Sequence, residues 1–120
     1  MWTELPIIGF DTETTGIRPD QDRLVTCSIV EVLPGGTINK SYWLADPGVE
    51  IPERASAVHG ITTEFLKDKP RFEQKVDEIW EYLQGAELII HNAPFDLGFL
   101  NKELELANRP PIRQCVSGVI

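Results

Sequence analysis

The sequence is poor in three things. Only two cysteines, Cys27 and Cys115, occur in 120 residues. They are too few and too far apart for a disulfide framework or a zinc site, and each is expected to sit in a strand core with no base to activate it. A cytoplasmic location follows as the expectation. No apolar run approaches the roughly 20 residues of a membrane-spanning helix, so no membrane partner is expected. The start, Met1-Trp2-Thr3-Glu4-Leu5, lacks the basic and then apolar pattern of a secretory signal. Basic residues are also scarce, with 11 Lys plus Arg against 19 Asp plus Glu and a formal net charge of −8. Broad phosphate binding needs a basic surface. A nucleic-acid partner would therefore be gripped over a short segment, through metal ions and local contacts.

The chain has the size of one domain and carries no internal repeat or interdomain linker. Leu5 to Phe10 is an apolar run entering Asp11 and reads as a buried strand. Gly16 to Asp22 is a polar loop. Leu24 to Val32 and Thr37 to Leu44 read as strands joined by a tight turn at Pro34-Gly35-Gly36, which gives an antiparallel meander. Asp46 to Arg54 is an irregular connection, and Ala55 to Lys67 holds one or two short helices. Phe72, Val76, Ile79, Trp80 and Leu83 follow one face of a helix that Gly85 stops. Leu88 to Ile90 is a short buried strand. Pro94 opens a helix through Leu97, Leu100 and Leu104, ending near Pro110-Pro111, and Cys115 to Ile120 reads as a fifth strand. Three antiparallel strands followed by alternating helices and strands imply a mixed α/β sheet. The last strand runs into the chain end without a closing helix. Residues 1–120 are therefore expected to be the N-terminal and central part of a domain that continues.

Asp11 and Glu13 stand two apart at the end of an apolar strand, so their side chains share a face. Two carboxylates beside a core repel each other and resist desolvation, and a divalent cation relieves both. Hard oxygen ligands suit Mg2+ or Mn2+. The plainer alternative is that the pair begins a turn with Thr12, Thr14 and Thr15. Asp96 follows Asn92, Pro94 and Phe95 at a helix start, where an acid favours the helix dipole. Alternatively it sits at the C-terminal end of a strand, where open sheets build sites, and faces Asp11 and Glu13 across the sheet. His59 reads as a loop histidine that forms hydrogen bonds, and His91 as a residue that orients local backbone.

Taken together these residues resemble a known family. Phe10-Asp11-Thr12-Glu13-Thr14-Thr15-Gly16 resembles the first motif of the DEDD 3′–5′ exonucleases. His91-Asn92-Ala93-Pro94-Phe95-Asp96 resembles the second. Val58-His59-Gly60-Ile61-Thr62 is similar to the segment between them in the proofreading branch that includes the epsilon subunit of bacterial DNA polymerase III. The resemblance implies a ribonuclease-H-like fold and release of nucleoside monophosphates from DNA 3′ ends, in proofreading or repair. It implies that Asp11, Glu13 and Asp96 hold two Mg2+ or Mn2+ ions. Thr12, Thr14 and Thr15 would lie along the terminal nucleotide, with amides near Thr12 orienting it. Val58 and His59 would pack near its base and sugar, and Asn92 and Phe95 beside the strand.

The family also uses a third motif, with a general-base histidine or tyrosine and a fourth aspartate, which is expected after residue 120. The 120 residues alone are therefore expected to be inactive. Arg54 departs from the pattern at a place where an acidic residue can occur. Two other readings stay open: an exonuclease acting on RNA or short oligonucleotides, and a non-catalytic binding or assembly module. A single-stranded 3′ end and a DNA polymerase subunit are the expected partners, and an uncovered sheet face would favour a dimer.

Overall fold

The computed structural model describes residues 7–18, 20–33 and 35–120. Its strands are β1 (Ile7–Thr14), β2 (Leu24–Val32), β3 (Ile38–Leu44), β4 (Glu87–Ile89) and β5 (Gly118–Val119). Its helices are α1 (Glu53–His59), α2 (Thr63–Leu66), α3 (Phe72–Leu83) and α4 (Ala93–Leu106), with a 3-10 turn at Ile112–Gln114. The strands form one sheet in the order β3-β2-β1-β4-β5. The first three are antiparallel, whereas β4 runs parallel to β1 and β5 parallel to β4. Because β1 and β4 point the same way, the segment leaving β4 enters α4 near the C-terminal end of β1. Among the described residues no helix is long and apolar enough to cross a membrane.

Period-two alternation decides what each sheet face carries. Ile8, Phe10 and Thr12 are buried, and the strand register aligns them with Glu31, Ile29 and Cys27 of β2. Phe72, Val76, Ile79 and Leu83 of α3, with Leu97, Leu100 and Leu104 of α4, pack into the same core. The register puts Val30, Val32, Ile38, Tyr42 and Ile89 on the opposite face, together with Asp11 and Glu13. All five of these large side chains are exposed. A smaller cluster of Val25, Ile51, Ala55, Ile61 and Leu66 seats α1 and α2 against the sheet.

β2 and α3 run as expected. Leu5, Pro6 and Pro34 lie outside the described residues. At the turn, the Leu33 amide donates to the Thr37 carbonyl at 2.8 Å, and Gly35 and Gly36 take φ of 92° and 90°, which only glycine adopts freely. Two short helices follow as expected between Ala55 and Lys67, and three expectations need correction. The region expected to be irregular up to Arg54 is already helical from Glu53, where Pro52 precedes the first turn. Gly60 then adopts φ 73° and ends α1, so that Thr62 starts a second helix by accepting from the Phe65 amide at 3.2 Å. α4 stops at Leu106, short of the two prolines, with Asn108 at φ 60°. The fifth strand is two residues long because the Cys115 and Val116 amides are bonded to the Ile112 carbonyl, at 2.8 and 3.0 Å.

An ion pair that sequence patterning did not indicate joins Arg23, the residue before β2, to α4. Arg23 donates from Nε and Nη2 to the two Glu103 oxygens at 2.6 and 2.8 Å. The Leu24 amide adds a bond to Glu103 Oε1 at 3.4 Å. Glu103 is 2% exposed and Arg23 19%.

Candidate active site

Asp11 and Glu13 project from the last part of β1 on the open face, Asp11 exposed and Glu13 half-buried. Thr12, between them, points the other way. There it meets Asp96, which is 4% exposed in the first turn of α4. Asp96 Oδ1 accepts from the Thr12 amide at 3.1 Å and from the Thr12 hydroxyl. The Asp96 amide in turn donates to the Asn92 carbonyl at 3.1 Å. Asp96 is thus locked to the strand that carries the other two carboxylates, on the flank of β1 rather than across the sheet. The Thr12 amide, expected to orient a nucleotide, is already engaged by this bond.

Burial is the largest cause lifting the Asp96 carboxyl above the ordinary aspartate value of 3.8. The Thr12 hydroxyl opposes that shift, and the charge of Asp11 adds to it. Burial also lifts Glu13, with His59 opposing and Asp11 and Asp96 adding. Asp11 and Asp96 thus act on Glu13, and Asp11 acts on Asp96. Among the described residues no three His, Cys, Asp or Glu side chains are gathered closely enough to enclose an ion as they stand. The donor chemistry nevertheless fits a hard divalent cation. All the donors are carboxylate oxygens, and their mutual repulsion and burial are costs that such a cation offsets.

These shifts have a consequence for stability. The folded chain holds the Asp96 proton more tightly than the unfolded chain, so between the two pKa values stability falls as pH rises, and above the folded value the whole penalty is present. Asp96→Asn cannot ionise. Its unfolding free energy relative to wild type is expected to rise as pH is taken from about 3.8 to neutrality without added metal. Urea denaturation at a series of pH values checks this, and a flat difference would refute it.

A cavity of about 450 Å3 opens between the end of β1 and α1. Thr12, Glu13 and Thr14 line its strand side, and Arg54, Val58 and His59 line its helix side. Ile17 and Phe95 close it with apolar surface. Ile17 and Val58 are 80% and 83% exposed, so two bare apolar side chains flank the opening. Ile17 was not singled out from sequence, and an apolar residue in a polar loop is the signal that could have found it. Phe95 packs on Phe99 with ring centres 5.0 Å apart.

His59 Nδ1 accepts from the Ile61 amide at 3.1 Å, which leaves Nε2 to donate to the Thr14 carbonyl, also at 3.1 Å. Both nitrogens are committed, and the ring ties α1 to the end of β1. Thr14 donates to the Gly16 carbonyl at 2.5 Å. Thr15 does not line the cavity. Its hydroxyl accepts from the Arg23 amide at 2.9 Å and donates to Asp22 at 3.3 Å, closing the loop. Asn92 is exposed and holds the start of α4 through its carbonyl. His91 is exposed and, among the described residues, forms no side-chain hydrogen bond, so the expected backbone-orienting role is not seen. Burial raises the thiol pKa of both cysteines, which are inert core residues. A second cavity, of about 520 Å3, lies against α4 between Asp20 and Arg109 and contains none of these groups.

Comparison with known proteins converges on one group. Residues 8–116 match the RNase T family model, described as exonuclease. The DNA polymerase III subunit epsilon of Rickettsia conorii is 42% identical over 108 residues, covering 88% of this chain and 47% of that protein. The epsilon subunit of Escherichia coli K12 is 40% identical over 108 residues, covering 85% and 44%. This chain therefore spans just under half the length of these curated relatives. Escherichia coli exonuclease I in complex with a dT13 oligonucleotide superposes with a TM-score of 0.79 at 16% identity, over 89% of this chain and 25% of that one. Exonuclease I in its apo form gives 0.81 at 15% identity, over 91% and 26%. At such identities the likeness establishes the fold, which is the ribonuclease-H-like mixed sheet.

Proposed function

This chain belongs to the exonuclease family, and from that footing we propose that it is the metal-binding and nucleotide-binding part of a 3′–5′ exonuclease acting on single-stranded DNA ends. The observation that supports the proposal is that Asp11 and Glu13 share the open face at the end of β1 while Thr12, between them, holds the Asp96 carboxylate to the same strand. The cavity that Glu13 lines, of about 450 Å3, is partly apolar.

Asp11, Glu13 and Asp96 would hold two Mg2+ or Mn2+ ions. Bound there, the ions supply a water of lowered pKa and counter-charge for the phosphate and departing oxygen. The remaining groups belong to the protein. Val58 and Ile17 offer apolar contact to the terminal base, and Phe95 closes the cavity near Asp96. Thr14 lies along the sugar, and His59 keeps α1 at a fixed distance from β1. Thr15 and Asn92 act one step back, through the loop and the helix start. Neither histidine is placed as a base: His59 has both nitrogens engaged and His91 does not line the cavity. We therefore expect these 120 residues alone to bind metal and nucleotide with little turnover, and a protein of the relatives' full length to cleave.

The relatives are named as subunits of DNA polymerase III, which supports a place in a DNA polymerase assembly; with the motif resemblance, we take that role to be proofreading, in the cytoplasm. The oligonucleotide bound by exonuclease I supports single-stranded DNA as the partner. The test uses 5′-labelled DNA and RNA strands with Mn2+ and a protein of full relative length. Stepwise shortening from the 3′ end of DNA is expected. Preference for RNA would replace the DNA assignment, and binding without cleavage would favour the assembly-module alternative. The apolar open face supports self-association of the 120 residues. Sedimentation over a dilution series is expected to show a dimer, and monomer throughout would refute it.

A further inference from the structure

Gly16 and Ile17 line the cavity beside β1, and Asp20 lines the second cavity against α4. The loop between β1 and β2 therefore borders two open spaces. Ile17, its one large apolar side chain among the described residues, is 80% exposed, so apolar packing of that side chain does not hold the loop. Hydrogen bonds hold it instead, and they meet at Asp22. Asp22 Oδ2 accepts from the Arg18 amide at 3.0 Å, and Oδ1 from the Thr15 hydroxyl at 3.3 Å. The Asp22 amide donates to the Arg18 carbonyl at 2.6 Å. One carboxylate thus gathers the chain on both sides of Ile17, and bonds to a charged acceptor are roughly twice as strong as neutral ones. Gly16 belongs to the same arrangement. A Cβ there would lie 2.5 Å from Asp22 Cγ and 2.7 Å from Oδ1, well inside contact distance. The carboxylate occupies the space that a side chain at residue 16 would need.

We propose that Asp22 is a positioning residue for the terminal nucleotide. By pinning Thr15, Gly16 and Arg18 it holds Ile17 as a preformed wall of the cavity. A nucleoside then meets an apolar surface already in place, and binding carries less ordering cost. Asp22 does not itself line that cavity, so its effect passes through Ile17. The proposal rests on reading the cavity as a nucleotide site, and it adds a residue that touches no part of the nucleotide.

The experiment is calorimetric titration of the 120-residue chain with thymidine 5′-monophosphate in the presence of Mn2+. Ile17→Ala and Asp22→Ala are each expected to weaken nucleotide binding roughly fivefold to tenfold, the scale of one partly buried aliphatic contact. Gly16→Ala, which displaces the same carboxylate, should do the same. Asp22→Asn keeps an acceptor for the Arg18 amide and should recover most of the loss. Added to Ile17→Ala, Asp22→Ala should weaken binding by less than about a further twofold, because the two side chains act as one unit. Mn2+ affinity without nucleotide should stay within about twofold in every variant, since the loop holds none of the three carboxylates. Amide hydrogen exchange supplies a readout that needs no nucleotide. In Asp22→Ala the Arg18 amide is expected to exchange about tenfold faster, while the amides of α3 keep wild-type rates and establish that the variant is folded. Losses that multiply in the double variant would overturn the assignment. So would normal nucleotide binding by Ile17→Ala or Asp22→Ala, unchanged Arg18 exchange, or an equal loss of Mn2+ affinity, which would make Asp22 a residue of the fold at large. If the wild-type chain binds no nucleotide, or if Asp11→Ala leaves nucleotide binding unchanged, the nucleotide-site reading fails and the Asp22 assignment fails with it, whatever the Arg18 amide shows.

Discussion

Asp11→Ala is expected to lower mononucleotide release from a DNA 3′ end by about three to four orders of magnitude, equivalent to about 4 to 5.5 kcal/mol of barrier. Asp11 is an exposed member of the carboxylate set, and its charge acts on both Glu13 and Asp96. Removing it takes away a ligand and part of the negative field that would attract a cation. Groups that act as a unit in catalysis lose most of their effect when one is deleted. Single-turnover cleavage by a protein of full relative length, compared with the same protein carrying the substitution, measures the effect. A loss under tenfold would remove Asp11 from the catalytic set. The fold should not suffer, because exposed substitutions usually shift stability by about 0.5 kcal/mol or less and the change also relieves repulsion. Calorimetric Mn2+ titration of the 120-residue chain supplies an independent measure, with Asp11→Ala expected to weaken binding at least about tenfold.

Glu103→Ala should cost about 2 to 4 kcal/mol of unfolding free energy, a large share of the roughly 5–15 kcal/mol typical of a domain. Deleting the carboxylate strands the Arg23 guanidinium, which is 19% exposed, and removes the acceptor of the Leu24 amide. An uncompensated, mostly buried charge is the reason for the size of the loss, and the residual exposure of Arg23 keeps it below the upper end for such pairs. Glu103→Gln retains acceptor capacity and should lose less. Urea titration of the three proteins decides this. A cost below about 0.5 kcal/mol for the alanine variant would mean that Arg23 finds water at no cost and that the pair behaves as a surface ion pair.

Neither residue was identifiable as half of a pair from sequence, because Arg23 and Glu103 stand 80 positions apart and nothing in their local spacing links them. Legibility followed locality throughout. α3 was readable because Phe72, Val76, Ile79 and Leu83 form one stripe and Gly85 supplies the stop. β2 was readable from its run of β-branched residues. β5 was overextended because its length depends on tertiary bonds, among them the Gly85 amide to the Cys115 carbonyl at 2.9 Å. In the site, the shared face of Asp11 and Glu13 follows from period two alone. The engagement of Asp96 by Thr12, the double commitment of His59 and the place of Ile17 at the cavity mouth all depend on how α1 and α4 come to rest against β1.

The bonds between Asp96 and Thr12 join parts of the chain 84 positions apart. Closing so long a loop is an entropic cost already met in the folded state. An ion that needs carboxylates from both parts finds no comparable partner in the unfolded chain. Its binding free energy then adds to the free energy of unfolding, and ion affinity becomes a gauge of whether α4 is docked. Any substitution that loosens α4 from β1, however far from the carboxylates, should weaken ion binding and lower the melting temperature together.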